Sequence, residues 1–299
     1  MYRTMNNQNA IILDPSSHVE GVQTFMRASG ISRSRPVLDL LEKLVEAFSR
    51  LPYENISKII KLSRHQEGQD RLRLPEEVVT DHFKEGLGGT CFSLTYTLQA
   101  ILLQNGFSSY PVMAHMRAGR NIHCALVALV RGGKHLIDPG YLFGRPVELD
   151  PQRPVSFGNE FTRVELLFRP EDRMYHLYTT GDQQRKWRYC FADRPTTPHE
   201  FLEHWQNSFH KNAMHGICLN RVTPKGLIYV RKRFMREITV KGKRNINIKH
   251  NYHVAVQEAF GIRQDLLEQA LSALEANMAW EREHGLYHPQ GRRHETVAS

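Results

Sequence analysis

No run of apolar residues in this chain is long enough to cross a bilayer. The longest uninterrupted apolar stretch lies near Ile122–Val130 and contains a histidine, whereas a membrane-spanning helix needs about 20 apolar residues, so no span is expected. The first twenty residues lack a basic segment followed by an apolar core and a small-residue cleavage site. No secretory signal is read there, and the cytoplasm is the expected compartment. Cysteine is scarce: Cys91, Cys124, Cys190 and Cys218 form no Cys-x-x-Cys pair, which argues against a disulfide framework and a cysteine zinc site. His-Glu-x-x-His is missing as well, although there are sixteen histidines. His115 and His123 fall in strand-like segments with no partner at ligand spacing, so no catalytic metal is expected.

What is present is the composition of a globular protein. Of 299 residues, 40% are hydrophobic and 24% charged, and the length suits two or three structural units that could share one site. The net charge of +9 suits an anionic partner, either nucleic acid or the phosphates of a nucleotide-containing cosubstrate. Basic residues gather at Arg231–Arg233 and Lys241–Arg244. No zinc-finger, RNA-recognition or helix-turn-helix signature accompanies them, so nucleic acid is not expected, and the two runs read as a solvated strand edge.

Apolar periodicity divides the chain. Val37, Leu38, Leu40, Leu41, Leu44, Val45, Phe48 and Leu51 predict an amphipathic helix broken by Pro52, after a shorter helical pattern over Val22–Ala28. Gly88-Gly89-Thr90 supplies a turn, and Cys91 opens a buried helix that Gly106 stops. From Tyr110 the period shortens: Pro111–Met116, Ile122–Val130, Lys134–Asp138, Arg163–Phe168 and Met174–Thr179 read as strands. Farther on, 199–212 reads as helix, Ile217–Asn220, Leu227–Val230 and Glu237–Val240 as strands, and Val254–Ala276 as helix.

Three residues carry candidate chemistry. Cys91 sits at a helix N-terminus, where the peptide dipoles and free N–H groups favour a thiolate and could hold the oxyanion formed when that thiolate attacks an acyl carbonyl. His123 and Asp138 lie near opposite ends of a hairpin, fifteen residues apart. A two-residue turn at Arg131-Gly132 makes them diagonal neighbours on one face, about 7–8 Å apart at the backbone, where a carboxylate can fix the imidazole. A three-residue turn puts them on opposite faces unless a bulge intervenes. Taken singly, Cys91 is also an ordinary buried residue, His123 a core histidine and Asp138 a turn residue; the three together make the hypothesis of a catalytic triad.

Several segments in order resemble the arylamine N-acetyltransferase family. Pro52-Tyr53-Glu54-Asn55 resembles its Pro-Phe-Glu-Asn segment, and Gly88-Gly89-Thr90-Cys91-Phe92 its Gly-Gly-x-Cys-Phe motif. Gly106-Phe107 follows the helix as in the family, and His123 and Asp138-Pro139-Gly140-Tyr141 match its His and Asp-x-Gly-Phe/Tyr positions. Phe260-Gly261-Ile262 resembles its C-terminal segment. The chain departs from the family at Leu87, where a basic residue usually precedes the glycines, at Ser93, where Glu usually follows Cys-Phe, and at Pro139. These departures bear on how acceptor and donor are held.

The resemblance implies an α+β fold with a cysteine-protease-like core: an N-terminal helical bundle (1–108) carrying Cys91, a central β-barrel (109–195) carrying His123 and Asp138, and a C-terminal α/β lid (196–280), with a frayed tail over 281–299. It implies an acyltransferase that moves an acetyl group from acetyl-CoA to an arylamine or related amine through an acyl-cysteine. Acetyl-CoA is then a cosubstrate and no cofactor is bound permanently; no residue is assigned to it. Three alternatives share the motifs: an amide synthase acting on carrier-bound acyl chains, a related cysteine hydrolase or transglutaminase-like enzyme, and a catalytically silent binding protein.

Overall fold

A computed structural model describes residues 13–158, 163–181 and 184–287. The first part is helical, with α1 (Val19–Ser29), α2 (Val37–Phe48), α3 (Ile56–Arg64), α4 (Pro75–Glu85) and α5 (Cys91–Gln104); a two-residue strand, β1 (Tyr53–Glu54), lies between α2 and α3. The apolar stripe of α2 is the reason it folds here: Leu40, Leu41, Leu44, Val45 and Phe48 are all buried. Helix α5 is buried on nearly every side. Leu94, Leu98 and Ile101 pack among residues of α1 and α2, while Phe92 and Tyr96 face the aromatic rings of Phe201 and Trp205.

The second part is an antiparallel, nearly closed barrel of eight strands: β2 (Ser108–Met116), β3 (Gly119–Val130), β4 (Gly133–Ile137), β5 (Val147–Glu148), β6 (Val155–Gly158), β7 (Arg163–Arg169), β8 (Met174–Gly181) and β9 (Gln184–Phe191), in the spatial order β5-β4-β3-β2-β9-β8-β7-β6. Alternation along β3 sends Ala125 and Val127 into the barrel with Leu136, Leu177 and Phe191, and sends Leu126 and Ala128 outward among the buried residues of α5.

The third part contains α6 (Pro198–Asn207), β10 (Cys218–Thr223), β11 (Gly226–Arg231), β12 (Phe234–Thr239), β13 (Gly242–Asn247), α7 (Tyr252–Phe260) and α8 (Gln264–Glu283). These four strands form a five-stranded sheet with β1, which pairs with β10 through Tyr53↔Asn220 and Glu54↔Leu219. One face of the sheet, with Leu219, Val230 and Met235, joins the core that holds Phe201, Trp205, Val256 and Leu267 of the helices.

This is the expected α+β arrangement of helices, barrel and α/β part. The helix expected over Val254–Ala276 is two helices, because Gly261 caps α7 in the left-handed region (φ 76°). The run Lys241–Arg244 spans the last turn of the sheet and the start of its edge strand β13. Of the tail expected over 281–299, α8 continues through Glu283, and residues 288–299 lie outside those described. Among the described residues, no helix is long and apolar enough to cross a membrane.

Candidate active site

Cys91 is the first residue of α5, preceded by Thr90 in an extended conformation (φ −88°, ψ 173°). The turn before it has no room for side chains. A Cβ at Gly88 would collide with the Pro52 carbonyl, and one at Gly89 with the Ser93 hydroxyl. The turn is also tied to β1: the Glu54 N–H donates to the Gly89 carbonyl (3.0 Å), and the Gly89 N–H to the Pro52 carbonyl (3.3 Å).

The hairpin of β3 and β4 closes with two residues, since Val130 pairs with Gly133. Both turn residues have positive φ, Arg131 at 50° and Gly132 at 80°, as a type I′ turn requires. Leu126 opposes Ile137, and continuing that register puts Asp138 across from Ala125 and diagonal to His123. The side chains meet: His123 Nε2 is 2.8 Å from Asp138 Oδ2, with both residues buried. The same carboxylate accepts the Tyr189 hydroxyl at Oδ2 (2.6 Å) and the Tyr141 N–H at Oδ1 (2.9 Å).

Cys91 joins this pair. The point where Gly140 would carry a Cβ is 2.8 Å from His123 Cε1, 3.1 Å from Cys91 Cβ and 3.3 Å from Asp138 Oδ1. The three candidate side chains thus surround one glycine. Because Nε2 of His123 is engaged by Asp138, Nδ1 is left for the sulfur.

Electrostatics in the cluster favour separated charge. A hydrogen bond from the Cys124 thiol, and then the His123 imidazole and the charge of Lys58, hold the Cys91 thiol well below its ordinary value against the effect of burial. Burial opposes the His123 imidazolium, yet Asp138 and Cys91 outweigh it and raise its pKa to about 10. Burial, reinforced by Cys91, pushes the Cys124 thiol well up. Lys58, buried beside Ser208, is brought down to about 7 by desolvation. The shifts of Cys91, His123 and Cys124 all favour a thiolate–imidazolium pair, with Cys124 as a neutral donor.

Sequence reasoning named Cys91, His123 and Asp138 but not Tyr189, Cys124 or Lys58. Tyr189 lies on β9, fifty-one residues from Asp138 in the chain. Cys124 follows His123 directly, so alternation should turn it to the other face of the strand, toward α5. There its sulfur is 3.5 Å from the Thr95 hydroxyl, one turn along from Cys91.

Beside the cluster lies a cleft of about 710 Å³ between the barrel and the second sheet. Tyr141 belongs to both, lining the cleft and packing edge-on against His123 with ring centroids 5.3 Å apart. Arg145 and Arg188 enter from the barrel side, and Asn220, Tyr229 and Arg236, which are cross-strand neighbours, from the sheet. Residues 217–250, which make this sheet, contain ten Lys and Arg against a single acidic residue, Glu237. That stretch alone equals the chain's net charge of +9, and the rest of the chain is balanced.

The sequence model of the N-acetyltransferase family matches residues 37–268. That range holds the turn, the helix start, the hairpin and the cleft. The chain belongs to the arylamine N-acetyltransferase family. This is a family of transferases, and solved arylamine N-acetyltransferases share the fold. The enzyme from Mycobacterium abscessus superposes with a TM-score of 0.73 at 17% identity, covering 90% of this chain and 99% of that one. The enzyme from Nocardia farcinica gives 0.70 at 20% identity (88% and 99%), and that from Salmonella typhimurium 0.70 at 14% (86% and 98%). Nothing among the curated proteins matches the sequence. Two of the departures from the family pattern have local partners: the Ser93 hydroxyl donates to the Thr90 carbonyl (3.1 Å), and the Pro139 carbonyl accepts the Leu142 N–H (3.2 Å).

Proposed function

We propose that the chain transfers an acetyl group from acetyl-CoA to an arylamine in two half-reactions, with Cys91 as nucleophile, His123 as acid and base, and Asp138 as the group that orients and charges the imidazole. The observation that carries this reading is the Cys91–His123–Asp138 cluster at the start of α5. In the first half-reaction the Cys91 thiolate attacks the thioester carbonyl. Free N–H groups at the helix start are suited to hold the oxyanion. The carbon–sulfur bond to CoA breaks, His123 protonates the departing thiolate, and an acetyl-cysteine remains. In the second, an amine attacks the acetyl-cysteine, the now neutral His123 takes its proton, and the Cys91 thiolate leaves as the amide forms.

The cleft supports the choice of partners. Its arginines suit the phosphates of CoA, and Tyr141, Phe143 and Phe157 offer flat faces to an aromatic amine. The proposed compartment is the cytoplasm. Initial rates measured while acetyl-CoA and an arylamine are both varied test this account: parallel double-reciprocal lines are expected, and converging lines contradict a free acetyl-enzyme. The concentration of the +9 charge on the sheet beside the cleft favours a second reading, in which the acyl group is borne by an acidic carrier protein. A kcat/KM higher for a carrier-bound acyl thioester than for acetyl-CoA would select it.

A further inference from the structure

We infer that Arg73 is a positioning residue for Cys91, acting through the Gly88–Gly89 turn; this rests on the acyl-transfer reading above. Arg73 lies just before α4, and its side chain is only 3% exposed. Its guanidinium reaches five groups. Nη1 donates to the Gly88 carbonyl, to the Ser57 hydroxyl (2.8 Å) and to Glu54 Oε1 (3.3 Å). Nη2 donates to Asp81 Oδ2 (2.7 Å), and Nε to Glu77 Oε1 (3.4 Å).

Glu54 is the hub of this network. Its side chain has no exposed surface and accepts the Ser57 N–H (2.9 Å) and hydroxyl (2.5 Å), and its own N–H holds the Gly89 carbonyl. Two successive carbonyls of the turn, those of Gly88 and Gly89, are therefore fixed by Arg73 and by its ion-pair partner. A buried carboxylate left without its cation is strongly destabilised, so the two residues hold each other in place. No side chain of the turn itself can do this, because residues 88 and 89 are glycines without room for a Cβ.

The turn sets where the nucleophile stands. Cys91 follows it by two residues, and the Leu94 N–H bonds to the Thr90 carbonyl (3.0 Å), so the first turn of α5 is locked onto the same segment. His123 comes from a different sheet, and the thiolate and imidazolium meet only if both supports keep their spacing. The family usually carries a basic residue immediately before the paired glycines. Here that position is Leu87, which is 4% exposed and packed among apolar residues. Arg73 brings a guanidinium to the same turn from fifteen residues upstream of Gly88. The fork matters as much as the charge, since a lysine ammonium cannot reach Gly88, Glu54 and Asp81 together.

The test compares the unaltered protein with Arg73→Gln and Arg73→Lys, reading the rate of Cys91 alkylation by iodoacetamide across pH together with steady-state kinetics. Both variants are expected to move the alkylation midpoint upward, by roughly one pH unit. A drop of about 100-fold in kcat is expected for Arg73→Gln and a smaller one for Arg73→Lys, with KM for the thioester little changed. A residue that only stabilised the fold would lower the melting temperature and leave the midpoint where it was. A folded Arg73→Gln with an unchanged midpoint and kcat overturns the inference. If Arg73→Gln does not fold, an unchanged midpoint in Arg73→Lys overturns it equally. The alkylation readout needs no acetyl donor, so absence of acetyl transfer in the unaltered protein would count against the acyl-transfer reading while Arg73 is still judged on the midpoint.

Discussion

Replacing Asp138 by Asn removes one charge and keeps the shape of the side chain, which makes it the sharpest perturbation of the site. Asp138 is fully buried and accepts from His123, Tyr189 and the Tyr141 N–H. The imidazole is raised from 6.5 to about 10, with Asp138 the largest cause acting upward. At 1.36 kcal/mol per pKa unit, the environment favours the imidazolium by something on the order of 5 kcal/mol. Without the carboxylate charge, burial dominates, His123 becomes neutral at pH 7, and Cys91 loses one support of its thiolate while keeping the Cys124 hydrogen bond and the charge of Lys58. A thiol returned to an ordinary pKa of about 8.5 is only a few per cent ionised at pH 7. Alkylation of Cys91 by iodoacetamide, followed by intact mass, should therefore slow at pH 7, by at most roughly 30-fold, and its midpoint should move upward. Stability should respond with a definite sign. His123 is raised above its unfolded value, so its contribution is complete below about pH 6.5 and gone by about pH 10. The melting-temperature gap between the unaltered protein and Asp138→Asn is expected to be widest near the acidic end of that window and to close toward its alkaline end. An Asp138→Asn variant alkylated at the unaltered rate, with a gap independent of pH, would refute the reasoning.

Gly140→Ala places a methyl 2.8 Å from His123 Cε1 and 3.1 Å from Cys91 Cβ. Acetyl transfer should fall by about 100-fold while stability drops by only about 1–3 kcal/mol, as activity and denaturant unfolding would report. Lys58 is lowered from 10.5 to about 7 by burial. The unfolded chain then binds the extra proton between those values, and stability should rise with pH across that window. Lys58→Met should flatten this rise, as melting curves through the window would show. Arg236→Ala, which removes one cation from the cleft, is expected to raise KM for acetyl-CoA several-fold with kcat nearly constant. A fall in kcat alone would remove Arg236 from donor binding.

The sequence exposed the parts of the fold that carry strong periodicity or punctuation. The stripe of α2 and the glycine pair before α5 were readable, as was the β3–β4 hairpin, whose turn length the sequence left open between two and three residues and the Val130–Gly133 pairing decides. Strand β9 was not, because Gln184, Arg185 and Lys186 are exposed and only Tyr189–Phe191 are buried, so half of it lacks an apolar alternation. Helix α4 was missed for a related reason: it buries Pro75, Val78 and Val79 and leaves Phe83 47% exposed, a stripe too short to register. Strand β1 has two residues, and it is a strand through its pairing with β10, far along the chain, and its bridge to Gly89. The same distinction governs the site. Cys91, His123 and Asp138 have local signatures in a turn, a strand and a hairpin. Tyr189 meets Asp138, Lys58 acts on Cys91 by its charge, and Arg73 holds the Gly88 carbonyl, each brought there by tertiary folding alone, and no spacing in the chain announces a hydroxyl, ammonium or guanidinium that arrives from another element.

The most direct test of the central claim is intact mass spectrometry of the protein after brief exposure to acetyl-CoA without acceptor, alongside Cys91→Ala. A single acetyl adduct that is absent from the variant and disappears when an arylamine is added is the predicted result. An unmodified protein whose Cys91 still reacts with iodoacetamide would contradict acetyl-CoA as the donor, and an adduct that persists in Cys91→Ala would contradict Cys91 as the nucleophile.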